Sequence, residues 1–524
     1  MKKTTKKVIA IVLCLLTFAQ LFTSIASAAI YTEQTFGVAS EKNILGIDIE
    51  RWSRVKTSFM YEYDGHIYVV NVTSDQNIVE YNGSWDYVDV TKDITVTEYD
   101  EQLKKTDEYK ISSELPLWGG FFSGKTYNYF IFGQTNTEEN LTKETYRIVK
   151  YDKDFNRIGQ TSIIGSQCNA TIPFAAGTVA MAENSDGTQL TVHTSRERFT
   201  TEDGFNHQSQ FTIILDTKTM QPINELELFQ NNHVSHSFNQ FVRYDGDNPV
   251  LVDHGDAYPR SIVLSKRIAD GSYSELDLFE IPGATGANCT GVNLGGFEIS
   301  AENYIVTINS IDHSKVTSYD SFNMYGLDKD ERNAVILVSP KNNTNEENVK
   351  KIYLTDYVNK NLHATAPYLV KIDDNKFVVI WKEYKLVEKT DYWGDKYIQY
   401  EENDVKYAII DGNGNKIGQI QSLGTKCNLS DCQPIYYNEE IIWYYEASET
   451  ERRICTLNLS NLGDVNLDGK INSTDALLVL QHSVQKITLT GEDFINADVD
   501  KNNTINSTDA LEILKYSVGK INRF

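Results

Sequence analysis

Between Tyr31 and about Ser460 the chain alternates apolar and polar residues in short bursts, and long runs with helical spacing are few. "RIVKYD", "FTIILD", "SIVLSK", "AVILVS" and "YAIIDG" are rich in β-branched and aromatic residues and are bounded by turn-forming polar clusters. Such runs predict strands. Each opens a unit of one form: a strand, a polar turn, a second strand, a long loop, a third strand, a tight turn and a fourth strand. The units begin near Ile94, Arg147, Phe211, Ser261, Ala334 and Lys406. The opening stretch "TSFMYEYDGHIYVVNV" reads as the last two strands of one more unit, and "RRICTLNLS" as a lone strand that completes it. Pairing the chain ends in this way closes a ring of antiparallel sheets and hides their edges. The expected fold is therefore mainly β: a β-propeller over residues 30–460, of seven blades, with six or eight as neighbouring counts. A pair of β-sandwiches is the competing fold, and it leaves the four-strand grammar unexplained.

Strand direction sorts the connections onto two rims. In a four-stranded antiparallel blade, the loop between the second and third strands shares a rim with the crossover to the next blade. One set of connections is short and hairpin-like: "YDGDNP", "SDGTQ", "IDDNK", "DGNGNK". The other is long: "SELPLWGGFFSG", "SQCNATIPFAAG", "NNHVSHSFNQ", "ATGANCTGVNLGG", "NLHATAPYL", "CNLSDCQPIYY". Five of the nine histidines fall between residues 193 and 254, and the same parity places them on the elaborate rim: His193, His207, His233, His236 and His254. Asp253 and Arg260 accompany them as candidate catalytic groups. Imidazoles and carboxylates in one place would ligate an additional divalent metal, move a proton, or hydrogen-bond a sugar. They would equally serve as polar fasteners between long loops. His233 and His236 are spaced HxxH, but a loop gives that spacing no common face. "WGGFF" and "NLGGFE" read as tight packing of inner strands, with Trp118 as an alternative sugar-stacking ring.

Beyond residue 461 the periodicity changes to helical and the sequence repeats itself. "GDVNLDGKINSTDALLVLQ" returns as "ADVDKNNTINSTDALEILK". With Asp464 as position 1, Asn466 and Asp468 fall at 3 and 5, Lys470 at 7, Asn472 at 9 and Asp475 at 12. The second copy supplies Asp498, Asp500, Asn502, Thr504, Asn506 and Asp509. Alternating oxygen side chains, a backbone carbonyl at position 7 and a closing carboxylate are the way a loop wraps calcium. Two Ca²⁺ ions are expected. Position 6 is Gly469 in the first copy and Asn503 in the second, both residues that tolerate a positive φ. Each loop runs into a helix. Leu477, Leu480 and Val484 form one helical stripe, and Leu511, Leu514 and Val518 repeat it.

A full EF-hand carries an entering helix and usually glutamate at position 12; here the closing ligand is aspartate and no entering helix is evident. The duplicated, C-terminal pattern over 461–524 resembles a type I dockerin. That resemblance implies docking to a cohesin module of a cellulosome scaffoldin, through positions 10 and 11 of each loop: Ser473 with Thr474, and Ser507 with Thr508. Identical pairs on two pseudo-symmetric helices imply docking in either of two orientations. The resemblance also implies cargo engaged in plant cell-wall polysaccharide breakdown, a lyase or glycoside hydrolase. The alternative is a non-catalytic propeller that binds carbohydrate or protein, an adhesin or protease inhibitor included.

Composition narrows the partners. Residues 1–29 hold four lysines, an apolar run and a small-residue "ASA", the form of an export signal. The net charge of −24 becomes more negative by four once they are removed. So acidic a chain repels nucleic acid and anionic membranes. The expected location is extracellular. Cys168, Cys289, Cys427, Cys432 and Cys455, odd in number and scattered, do not form a disulfide framework; only Cys427 with Cys432 is close enough in sequence to invite pairing.

Overall fold

The structure is a computed structural model that describes residues 30–36, 54–81, 84–226, 234–319, 324–425, 427–448, 451–459, 462–468, 470–521 and 524. The expected signal segment, His233 and Gly469 lie outside the described residues. The rest is mainly strand up to Asn458, and the longer helices of the described residues lie in the tail.

The strands fall into antiparallel sets with four strand positions each, the first position being split between two strands in the third and sixth sets. The first set is Ser58–Tyr63, His66–Tyr81, Ser84–Tyr99 and Lys105–Ile111. The second is Leu117–Ser123, Asn128–Gly133, Glu144–Tyr151 and Arg157–Ile164. In the third, Ala170–Pro173 and Val179–Glu183 both pair with Gln189–Arg198, followed by Gln208–Asp216 and Gln221–Pro222. The fourth is Ser235–Asp245, Asn248–Tyr258, Ser261–Arg267 and Tyr273–Glu280. Val292–Ile299, Asn303–Ser310, Asn333–Pro340 and Lys350–Tyr353 form the fifth. In the sixth, Leu362–Ala364 and Tyr368–Asp373 pair with Lys376–Thr390, then come Lys396–Asp411 and Lys416–Gly424. The last is Ile435–Tyr437, Glu440–Ser448 and Glu451–Asn458, completed by the N-terminal strand Ile30–Phe36, which runs antiparallel to Glu451–Asn458 from Ile30↔Asn458 to Phe36↔Arg452.

Two expectations are corrected here. Ile94, Arg147, Phe211, Ser261, Ala334 and Lys406 lie in the third strand of their sets, not the first. The third strands stand out in sequence because sheets cover them on both faces; Gln208–Asp216 and Asn333–Pro340 are buried at nearly every position. Moving the start by two strands leaves strand direction unchanged, so the division into a plain and an elaborate rim survives. Secondly, "TSFMYEYDGHIYVVNV" opens a complete set, and the strand that joins the chain ends is Ile30–Phe36. That stretch of backbone carries no turn signal of its own, and only the pairing with a partner more than 400 residues away makes it a strand.

Consecutive sets pack face to face through their first strands. Phe59 meets Trp118 edge-on, with centroids 6.1 Å apart, between sets one and two. Gly119 leaves room for Phe174 between sets two and three: a Cβ there would lie 2.4 Å from that ring. Gln240 Oε1 accepts from Thr178 N at 2.7 Å between three and four, and Arg243 pairs with Glu298 at 2.6 Å between four and five. At Gly295 a Cβ would lie 2.3 Å from Pro367 O, so sets five and six touch backbone to backbone. Gln433 donates to Leu369 O at 3.1 Å between six and seven. Asp431 then returns to the beginning: its carboxylate accepts from Thr57 N at 2.5 Å, from Thr57 Oγ1 at 2.9 Å, and from Ser58 Oγ. The glycine motifs are thus packing devices, and Trp118 is buried, donating from Nε1 to Lys56 O at 2.8 Å.

Candidate functional site

The four described histidines of the elaborate rim do not share one set of partners. His193 is fully buried, with Nε2 2.9 Å from Asp253 Oδ2 and Nδ1 2.9 Å from Thr212 Oγ1. Asp253 also accepts from Ser237 Oγ at 2.6 Å, so the pair fastens set three to set four. His254 is buried against Thr290 Oγ1 at 3.0 Å. Burial first, then the charges of Arg260 and Arg332, push its pKa down to about 3, which keeps the ring neutral. Arg260 spends its guanidinium on the backbone carbonyls of Asp256, Ala287, Cys289 and Pro282. These four side chains hold loops.

His236 and His207 differ in being partly exposed. His236 has a left-handed backbone, φ 56°, at an irregularity of its strand, and its Nδ1 lies 3.0 Å from Asp256 Oδ1. The hydrogen bond to Asp256 raises its pKa against the opposing effect of burial. The other oxygen of the fully buried Asp256 has no hydrogen-bond partner among the described residues. The His207 ring lies 6.4 Å from that of His236 and bonds Asp203 Oδ2 at 2.7 Å. Among the described residues of the strand-rich module, no three His, Cys, Asp or Glu side chains gather closely enough to hold a metal ion. No disulfide links the five described cysteines, all of which are buried.

The tail gathers its ligands more tightly. In the second loop the carboxylates of Asp498, Asp500 and Asp509 lie within 4.8 Å of one another. Backbone N–H groups of the loop shape this cluster. Asp498 accepts from Asn502 N at 3.1 Å and from Asn503 N at 2.7 Å, while Asp509 accepts from Asp500 N at 3.4 Å and from Asn506 N at 2.9 Å. Asn503 takes the positive φ expected of position 6, 62°. In the first loop the closing aspartate is held in the same way, Asp475 accepting from Val465 N, Asn466 N and Asn472 N at 3.0, 3.2 and 2.9 Å. Burial pushes the pKa of Asp475 and of Asp509 upward. Crowded carboxylates in a cradle of oxygens are the donor set that suits a hard divalent cation such as calcium.

From each loop a helix departs, Ser473–Ser483 and Ser507–Ser517. Asn472 and Asn506 cap them by accepting from Thr474 N and Thr508 N at 2.7 Å, and the closing aspartate bonds back to the cap. Ala476, Val479, Ala510 and Ile513 pack the helices together with Leu462, Val465 and Val499. Contrary to the sequence reading, a short entering helix, Glu492–Ala497, precedes the second loop.

Residues 462–516 match the family model of the dockerin type I domain. The tail carries a type I dockerin. No protein with a curated description matches the chain. Among solved structures it is similar to an alpha-L-arabinanase from Penicillium chrysogenum, at 13% identity and a TM-score of 0.31 over 50% of this chain and 73% of that one. It is also similar to the hemagglutinin-neuraminidase ectodomain of parainfluenza virus 5, at 8% identity and 0.33 over 88% and 95%. A member of the DUF4221 family from Bacteroides vulgatus gives 10% and 0.35 over 83% and 99%. Superpositions this loose carry neither fold nor function across.

The dockerin helices turn their larger apolar residues outward. Leu477, Leu480 and Val484, and their counterparts Leu511, Leu514 and Val518, are exposed, while the core is built from Ala and Val or Ile one turn-face away. Ser473, Thr474, Ser507 and Thr508 are exposed at the head of each stripe. The stripes are legible as periodicity; that they face solvent is not, because an apolar stripe in sequence ordinarily marks a core face.

Proposed function

We propose that this chain is a secreted cellulosome subunit that docks to a scaffoldin cohesin through its calcium-loaded dockerin, and that its strand-rich module is a seven-bladed β-propeller engaging plant polysaccharide. The observation that carries the docking is the repeated loop and helix with two matching outward stripes, each headed by a Ser–Thr pair. Exposed apolar area of this kind, duplicated about a local two-fold, marks a protein-binding surface. Calcium is required because the loops that set the helix starts are crowded with carboxylates that repel one another without it. The seven-bladed reading is supported by seven four-stranded sets that contact in order, the last returning to the first through Asp431 and the strand Ile30–Phe36. Two ions, one per loop, follow from the two donor sets Asp464, Asn466, Asp468, Lys470, Asn472, Asp475 and Asp498, Asp500, Asn502, Thr504, Asn506, Asp509.

The docking is tested by capture of the full chain on immobilised type I cohesin, in calcium and after chelation with EDTA. Capture that survives chelation refutes the reading. Two equivalent orientations give a further signature. Leu477→Asp or Leu511→Asp alone removes one orientation and weakens binding by roughly twofold. The double variant, which loses an apolar anchor from both stripes, weakens it at least tenfold.

For the propeller, one feature favours an enzyme as a second reading: His236 is held by a buried carboxylate at a strained backbone position and is partly exposed, which supports reading it as a general acid–base group. Product release from a plant polysaccharide, lost in His236→Gln, would establish it.

A further inference from the structure

A cavity whose lining includes none of the rim histidines lies between the fifth and sixth sets. It measures about 470 Å³, within the range of roughly 300–1,000 Å³ typical of small-ligand sites. Leu354, Leu362 and Ile420 give it an apolar surface; Tyr357, Asp404, Lys406 and Gln421 are among its polar lining. Behind it sits Glu383, 1% exposed, which accepts from the Tyr357 hydroxyl and pairs with Lys406 Nζ at 2.7 Å. The buried carboxylate therefore fixes two of the lining side chains.

The two lysines at this cavity are already paired, and its one further carboxylate is held by neutral donors. Lys406 is paired with Glu383, Lys360 with Asp356 at 3.0 Å, and Asp404 accepts from Ser422 Oγ at 2.9 Å and Gly424 N at 2.8 Å. No unpaired cation remains among these groups to attract a phosphate or a uronate. Gln421 lines the space without a side-chain hydrogen bond to any of the described residues, a donor and an acceptor in one group. An apolar wall facing paired polar groups suits a ligand with a C–H face and a rim of hydroxyls.

A second feature rises from the same strands. Lys376–Thr390 and Lys396–Asp411 run to 15 and 16 residues, where the corresponding strands of the fifth set have eight each, so a two-stranded arm extends past the cavity. Lys389–Glu401 and Lys396–Glu388 pair across it at 2.9 and 2.8 Å. Its tip presents Tyr392 and Trp393, 94% and 83% exposed, with rings nearly perpendicular. A turn held by Asp391, which accepts from Trp393 N and Asp395 N, fixes their backbone. Exposed aromatic faces of this kind stack on the C–H face of a sugar ring.

We infer that the sixth set is the glycan-contacting blade: the cavity beside Tyr357 and Gln421 takes one end of a neutral, hydroxyl-rich oligosaccharide, and Tyr392 and Trp393 on the arm hold the chain further along. This deepens the polysaccharide reading of the propeller and depends on it.

The test uses the full chain in calcium, titrated calorimetrically with neutral gluco-, xylo-, arabino- and galacto-oligosaccharides of six units, and with an oligogalacturonide as charged control. At least one neutral oligosaccharide binds, and Gln421→Leu and Trp393→Ala each weaken it tenfold or more while circular dichroism and cohesin capture stay unchanged. Neutral binding that both variants leave intact overturns the placement on the sixth set and leaves the polysaccharide reading standing. Binding of the oligogalacturonide alone overturns the neutral-ligand inference. Binding of nothing overturns both the inference and the polysaccharide reading, with cohesin docking unaffected.

Discussion

Asp431 ties the seventh set to the first, and cutting that tie has a calculable cost. The carboxylate receives three hydrogen bonds from Thr57 and Ser58, residues that open the first four-stranded set, more than 370 positions away in sequence. Hydrogen bonds to a charged group contribute roughly 1.5–3 kcal/mol each, and three on one group are far from additive. Asp431 is only partly buried, which lowers the total further. Asp431→Ala is therefore expected to cost about 3 kcal/mol. Unfolding a module of roughly 430 residues at about 2.1 cal/mol/K per residue has an entropy near 0.9 kcal/mol/K, so the midpoint of thermal unfolding should fall by about 3 °C. Asp431→Asn keeps one acceptor oxygen and should lose about half as much. The sharper readout is local. Hydrogen exchange at Ser58–Tyr63 and Ile435–Tyr437 should accelerate in Asp431→Ala, with the third and fourth sets unchanged. A variant whose midpoint lies within 1 °C of the parent and whose exchange at both segments is unaltered would refute the idea that this carboxylate latches the seventh set to the first.

Other consequences can be checked in the same way. Glu446, 9% exposed, has its pKa raised by burial to about 6. A carboxyl that binds its proton more tightly when folded adds stability below the ordinary carboxyl range and loses it as pH rises through 6. Glu446→Gln should therefore gain about 2 kcal/mol on the parent between pH 4.5 and 7.5, read as a pH-dependent difference in urea midpoints. Gly295→Ala forces a Cβ to within 2.3 Å of Pro367 O, and should cost about 1–3 kcal/mol by thermal unfolding. Asp253→Asn leaves the buried His193 with a poorer partner and should cost about 1–3 kcal/mol without altering cohesin capture. Asp509→Ala removes the closing carboxylate of the second loop, and should abolish one of two calcium-binding events in calorimetry while leaving the other.

What the sequence alone determined is whatever is local in period or spacing. The dockerin was legible as a repeat, because its pattern of alternate oxygen-bearing residues lies within one short segment and both copies carry it. Strand after strand of the large module was legible too, as was the division into two rims, since direction alternates regardless of where counting begins. The starting point of each four-stranded set was not. Apolar alternation is the same in a first and a third strand, and only lateral packing says which edge faces the next set. Nor did clustering in sequence bring the four described histidines to one place: strands carry His193 and His254 into sheet faces, where each finds its own partner, and leave His236 and His207 side by side at the rim. Tertiary structure likewise turned Leu477 and Leu511 outward, placed Glu383 behind Tyr357, and set Asp431 against Thr57. The physical reason is common to all of these. Local chemistry selects an element, but which of its faces meets water is decided by neighbours that the chain supplies from tens to hundreds of residues away.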